Sequence, residues 1–173
     1  MSQQSTFAAP CSRADLRAYA NQIRRMFKLE KEKCFPIIQF IEWILPEVYS
    51  DFVFEIREIG QMGDRHGQAY PDKNTIILRE DVYEGVINGQ GRDRFTLAHE
   101  LGHFLLHRDG AITMARMKPG AKIPPYRDPE WQANAFAGEL LMPVHIITGM
   151  TPLMVSKECR VTIQAAIVQL NKI

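Results

Sequence analysis

The sequence predicts an α+β fold: helices at both ends of the chain and a small mixed or antiparallel sheet between them. Three observations carry this. Apolar residues fall at helical spacing up to residue 45, the period switches to two near residue 52, and helical spacing returns from residue 92 onward. At 173 residues the chain suits one domain with a substantial core. It divides into N-terminal helices (12–50), a sheet-containing core (51–145) and a C-terminal helical segment (146–173).

Each element has a local cause. Ser12 with Asp15 three residues later makes a capping box ahead of Leu16, Tyr19, Ile23 and Phe27, which predicts an amphipathic helix from 12 to about 32. Pro36 opens a second helix rich in Ile37, Ile38, Phe40, Ile41, Ile44 and Leu45, and Pro46 is expected to stop it. Phe52, Phe54 and Ile56 then alternate with Val53, Glu55 and Arg57, as in a half-buried strand. Gln68–Tyr70 and Thr75–Leu78 read as two strands joined by a turn at Pro71–Asn74. A short helix over 80–88 closes at Asn88-Gly89-Gln90-Gly91, and another runs from Arg92 to His107. Residues 109–128, with Gly110, Pro119, Gly120, Pro124 and Pro125, show no periodicity and read as a long loop. Its Arg116, Lys118, Lys122 and Arg127 belong either to a cover over a cleft or to a solvated connection. Helical stretches at 129–141 and 161–172 complete the chain, with less regular structure between them.

Composition excludes several classes. Hydrophobic residues make up 46% and charged ones 24%, the balance of a folded chain rather than a disordered one. Lys+Arg number 21 against 20 for Asp+Glu, so the basic excess expected of a nucleic-acid binder is absent. Cys11, Cys34 and Cys159 are widely spaced with no CxxC, which argues against a disulfide framework or a thiolate metal site. A reduced, cytoplasmic setting is expected, with no secretory leader or membrane span. The tail "KECRVTIQAAIVQLNKI" looks like half of a helix-turn-helix, Thr162 capping and Ala165, Ala166, Val168 and Leu170 packing. Its cations are only Lys157, Arg160 and Lys172, so a helix docked on the core is expected rather than a DNA reader.

The chemistry concentrates in "FTLAHELGHFLLH", residues 95–107. On a helix His99 and His103 project from one face a turn apart, so both imidazoles can reach one tetrahedral zinc. Glu100, rotated by about 100°, can flank the metal and hold a water. Gly102 on the histidine side admits a close neighbour. A zinc enzyme needs a third protein ligand with the fourth position open. The downstream donors are His107, Asp109, Asp128, Glu130, Glu139, His145 and Glu158. Glu130 has the best context, in the first turn of a helix capped by Asp128 and opened by Pro129. Glu139 points to the opposite side of that helix. His107 lies a further turn along the histidine helix, where it suits a structural or supporting role. Asn134, one turn below Glu130, can accept from the far nitrogen of a ligand histidine and orient it.

"RFTLAHELGHFLLH" followed by "EWQANAFAGELLMP" resembles the ImmA/IrrE family of metallopeptidases, zincins with a thermolysin-like ligand arrangement, over roughly residues 65–145. The resemblance implies a zincin-like minimal metalloprotease domain in which His99, His103 and Glu130 bind Zn²⁺ and Glu100 is the catalytic base. Gln132 departs from the pattern, since relatives often carry a second acidic residue there. Tyr126, His145 and Tyr70 are candidates for contact with the oxyanion or the substrate, and the strand at Thr75–Leu78 or its neighbour at Gln68–Tyr70 for pairing with an extended peptide. The resemblance also implies a site-specific endopeptidase whose partner is a helix-turn-helix (Xre-type) repressor encoded nearby, so that cleavage derepresses stress or mobile-element genes. The alternative is a quiet zinc-fold module that sequesters a partner, as in a toxin–antitoxin pair. A deformylase shares H-E-x-x-H but takes a cysteine as third ligand from a glycine-flanked motif, a setting that neither Cys11 nor Cys34 has.

Overall fold

The computed structural model describes residues 4–108, 110–116 and 122–173. Strand β1 (Gln4–Ala8) leads into helix α1 (Arg13–Met26), whose start is the expected box: Asp15 N–H donates to Ser12 Oγ, and the Ser12 N–H to the Asp15 carboxylate. The helix ends six residues earlier than the periodicity suggests. Lys28 turns left-handed at φ +56°, the Leu29 N–H donates back to Arg24 O, and Phe27 meets the Phe40 ring edge-on at 5.3 Å. Arg24, fully buried, secures this turn by donating to the carbonyls of Leu29, Glu32 and Leu140.

The second helical stretch does not stop at Pro46. Helix α2 (Ile37–Gln39) widens into a π turn over Phe40–Ile44 and continues as α3 (Leu45–Val48). The Leu45 N–H donates five residues back, to Phe40 O, so Pro46 enters where the ladder has already shifted and its missing donor costs little. Ile37, Phe40, Ile41 and Leu45 are buried.

Strand β2 (Val53–Arg57), a short helix α4 (Ile59–Met62), β3 (Gly67–Tyr70) and β4 (Thr75–Arg79) form a mixed sheet in the order β2-β4-β3. The parallel β2–β4 pair sets Val53 against Thr75, and the antiparallel β3–β4 pair sets Tyr70 against Thr75. Between β3 and β4 a 3₁₀ turn at Pro71–Lys73 ends in left-handed Asn74, the expected chemistry. Of the two strands considered for peptide pairing, β4 is central and has both edges occupied, while β3 is an edge. On β2 only part of the expected alternation holds, because Ile56 is exposed.

Helix α5 (Glu80–Ile87) precedes α6 (Gly91–Leu106), which starts against the backbone of Val161: a Cβ at Gly91 would stand 2.5 Å from that carbonyl carbon. The stretch read as a loop contains β5 (Ile112–Arg116), which pairs antiparallel with β1, Phe7 opposite Thr113. Asp109 and Lys118 lie outside the described residues. After a 3₁₀ turn at Pro125–Arg127 comes α7 (Pro129–Leu141), buried through Ala133, Phe136, Ala137, Leu140 and Leu141. It packs between α6 and α1, with Tyr19 against Phe136 at 5.9 Å.

The region expected to be irregular holds α8 (Val144–Ile147) and α9 (Pro152–Cys159), the latter capped by Thr151, whose hydroxyl accepts from Met154 N–H. Arg160 turns left-handed before α10 (Ile163–Leu170). Val155, Cys159, Val161 and Ala166 join the main core, so this helical pair docks on the domain as expected. Among the described residues no helix is long and apolar enough to cross a membrane.

Candidate metal centre

Helix α6 carries His99 and His103 one turn apart on the side that faces α7. The two helices approach closely because Gly102 has no side chain: a Cβ there would stand 3.1 Å from Ala133 Cα and from Phe136 Cδ1. Asp128 fixes the start of α7, its Oδ1 accepting from Glu130 N–H at 3.0 Å, with Pro129 as first helical residue. That cap turns Glu130 toward the two rings. One ligand atom each from His99, His103 and Glu130 lies within 4.8 Å of the others.

The separations test whether these residues fit a metal. His99 Nε2 is 3.0 Å from His103 Nε2 and 3.3 Å from Glu130 Oε2, and His103 Nε2 is 3.3 Å from Glu130 Oε1. Tetrahedral bonds of about 2.0–2.1 Å place neighbouring donors roughly 3.3 Å apart, so the triangle has the size such an ion requires. His99 Nδ1 lies 2.9 Å from Asn134 Oδ1, an acceptor, so the proton sits on Nδ1 and the Nε2 lone pair is free to coordinate. Burial, with the rings of His99 and His107 beside it, pushes His103 down to about 3 and keeps it a neutral donor. Two imidazoles and one carboxylate would leave a tetrahedral cation one open position.

Glu100, in the same cleft, lies against the sheet edge. It is 8% exposed, and burial raises its carboxyl to about 7 even though the Ala69 N–H favours the ionised form. Gly67 makes room for it, since a Cβ there would stand 2.8 Å from Glu100 Cγ. An acid poised near neutrality suits the acceptance and return of a proton. The metal triangle and Glu100 open on one cleft of about 800 Å³, walled by Gly67, Gln68 and Ala69 of β3 and, opposite, by Thr6, Ile112 and Ile123.

Other candidates are engaged elsewhere. His145 Nε2 lies 2.8 Å from Glu30 O in the turn that follows α1, outside the cleft. Tyr126 is 48% exposed and does not line the cleft; its backbone carbonyl accepts from the Cys11 N–H and from Gln132 Nε2. The Tyr70 ring lies beneath the Lys73 ammonium at 5.4 Å and does not line the cleft. Glu139 is on the opposite side of α7, as expected, and Glu158 pairs with Lys33. Sequence reasoning missed the β1–β5 wall and the partners of His107. That ring lines the cleft with Nδ1 2.9 Å from His103 Nδ1 and Nε2 3.0 Å from Gln132 Oε1.

A mixed sheet whose edge lies beside an H-E-x-x-H helix, with a second helix presenting a carboxylate to the same point, defines a zincin-like domain. The chain belongs to the Peptidase_M78 family (IrrE N-terminal-like domain), whose model matches residues 57–167, more than half of its length. The match extends beyond the stretch that carries the motif resemblance and takes in α9 and much of α10. Comparison with curated proteins gives no match.

Proposed function

We propose that this peptidase-family protein is a zinc-dependent endopeptidase that cuts a single protein partner at a defined bond. The convergence of His99, His103 and Glu130 on one point, with Glu100 buried beside it, is the observation that carries the reading. Bound by those three residues, zinc supplies Lewis acidity toward water and the scissile carbonyl, worth several kcal/mol of charge stabilisation by about the usual measure. Glu100 takes the proton of the attacking water and returns it to the leaving amine. Asn134 holds the His99 ring in its ligating orientation. The edge strand β3 receives the substrate as an added strand, its Gly67–Ala69 backbone running along the cleft above Glu100.

The proposed substrate is a helix-turn-helix repressor encoded beside this protein, with derepression of stress or mobile-element genes as the consequence. The test mixes the zinc-loaded protein with the product of the adjacent gene and looks for one discrete cut. Glu100→Gln is expected to lower turnover by about 10²–10⁴-fold while zinc and partner stay bound. A Glu100→Gln protein that acts on its partner as well as wild type is a sequestering module instead. Substrate peptides N-methylated at successive positions test the role of β3: cleavage should fail at alternate positions, and uniform cleavage removes that role.

A further inference from the structure

We infer that His107 and Gln132 form a positioning relay that decides which nitrogen of His103 carries its proton. The inference rests on the metal-centre reading and starts from two backbone carbonyls. Gln132 Nε2 donates to Ala9 O at 2.8 Å and to Tyr126 O at 2.9 Å. Both amide protons are thereby used, and the opposite orientation of the amide would set its oxygen against two carbonyl oxygens. Gln132 Oε1 is therefore the atom that faces His107, and it can only accept. His107 Nε2 must carry a proton to donate to it across 3.0 Å.

The rest follows link by link. With its proton on Nε2, the neutral His107 ring presents a bare lone pair at Nδ1. That lone pair lies 2.9 Å from His103 Nδ1, which must then carry a proton and donate. His103 Nε2 is left bare and aimed at Glu130 and His99. Two buried side chains, Gln132 and His107, thus write the ligating tautomer of His103 from the carbonyls of Ala9, just after β1, and of Tyr126, in the Pro125–Arg127 turn. His107 and Gln132 are 7% and 2% exposed, so water does not compete for these contacts. Position 132 suits an amide here. A carboxylate could accept from His107 but could not donate to Ala9 and Tyr126.

The two imidazoles are therefore oriented by different means, His99 by the Asn134 amide oxygen and His103 by a second imidazole. In this relay His107 acts on the metal site through His103, which makes it a positioning residue.

Nitrogen-detected NMR of histidine-labelled, metal-free protein reads the tautomer directly, and competition with a chromophoric chelator reads zinc affinity. Wild type is expected to show His103 protonated at Nδ1. His107→Leu should lose that signature and bind zinc about 10–100-fold more weakly, the usual cost of removing a partner behind a metal ligand. His107→Gln, which restores a side-chain acceptor toward His103, should recover most of both. A wild-type His103 protonated at Nε2 overturns the relay, and so does a folded His107→Leu variant with unchanged tautomer and affinity. A wild type that binds no zinc overturns only the metal-centre reading, because the ring spectrum still decides the relay without metal.

Discussion

Helix α7 carries a carboxylate near each end, and the two occupy opposite surroundings. Glu139 is fully buried and held by α1: Arg13 Nε donates to its Oε1 at 2.9 Å and Arg17 Nε to its Oε2 at 2.9 Å. Glu130 is 69% exposed, and among the described residues its partners within 4 Å are the imidazoles of His99 and His103. Nine residues at about 100° each put the two on opposite faces of the helix. A carboxylate can stay buried only with charge and hydrogen bonds to match it, and the chain itself supplies both at Glu139. At Glu130 solvent supports the charge, and the neighbouring rings offer lone pairs rather than cations. On the proposed reading, one end of α7 holds the fold and the other holds an ion.

Glu139→Ala is the largest test of that contrast. It leaves two guanidinium groups facing an empty buried site, which should lower unfolding stability by about 3–5 kcal/mol. Denaturant unfolding of the metal-free protein measures this, and an unchanged midpoint would break the distinction at its structural end. Glu130→Ala should show the reverse pattern. Stability of the metal-free protein should move by no more than about 1 kcal/mol, the scale of an exposed helix-terminal charge. Zinc affinity should fall by more than the roughly 100-fold that bounds the loss of a supporting residue. Equal zinc affinity in the two variants would dissolve the contrast altogether.

How much of this was legible in the sequence depended on whether its cause was local. The Ser12–Asp15 capping box, the His99–His103 spacing and the Asp128-Pro129-Glu130 start of α7 act within a turn or two, so residue type at fixed offset reveals them. The β1–β5 ribbon does not. Its strands are separated by about a hundred positions, and pairing at that distance leaves no mark on either stretch alone. The passage through Pro46 depends on a π turn, a change of register that composition does not announce. Gln132 stood out only as a departure from the family pattern, because its partners come from residues 9, 107 and 126, brought together by packing. The candidate ligands were readable, and so was Asn134, one turn from Glu130; the Gln132 end of the His107 contact was not, because spacing along the chain does not announce partners brought in by packing.

The smallest effect asks how independent the two ends of α7 are. Gly102 lies at the α6–α7 crossing beside Ala133, one turn from Glu130 and well removed from Glu139. In Gly102→Ala the new methyl group meets Ala133 Cα and Phe136 Cδ1 at 3.1 Å and Ala133 O at 3.2 Å, tighter than ordinary contact. Overpacking of this kind costs about 1–3 kcal/mol, and the better helix propensity of alanine returns up to about 1 kcal/mol. A net loss of roughly 1 kcal/mol is expected in unfolding. The helices must part slightly at the metal end, so Glu130 moves away from two rings that stay fixed on α6. Zinc affinity should fall several-fold, while the Arg13 and Arg17 pairs with Glu139 persist. If Gly102→Ala destabilises the fold yet binds zinc as wild type does, Glu130 adapts freely, and the spacing of the helices does not set the metal triangle.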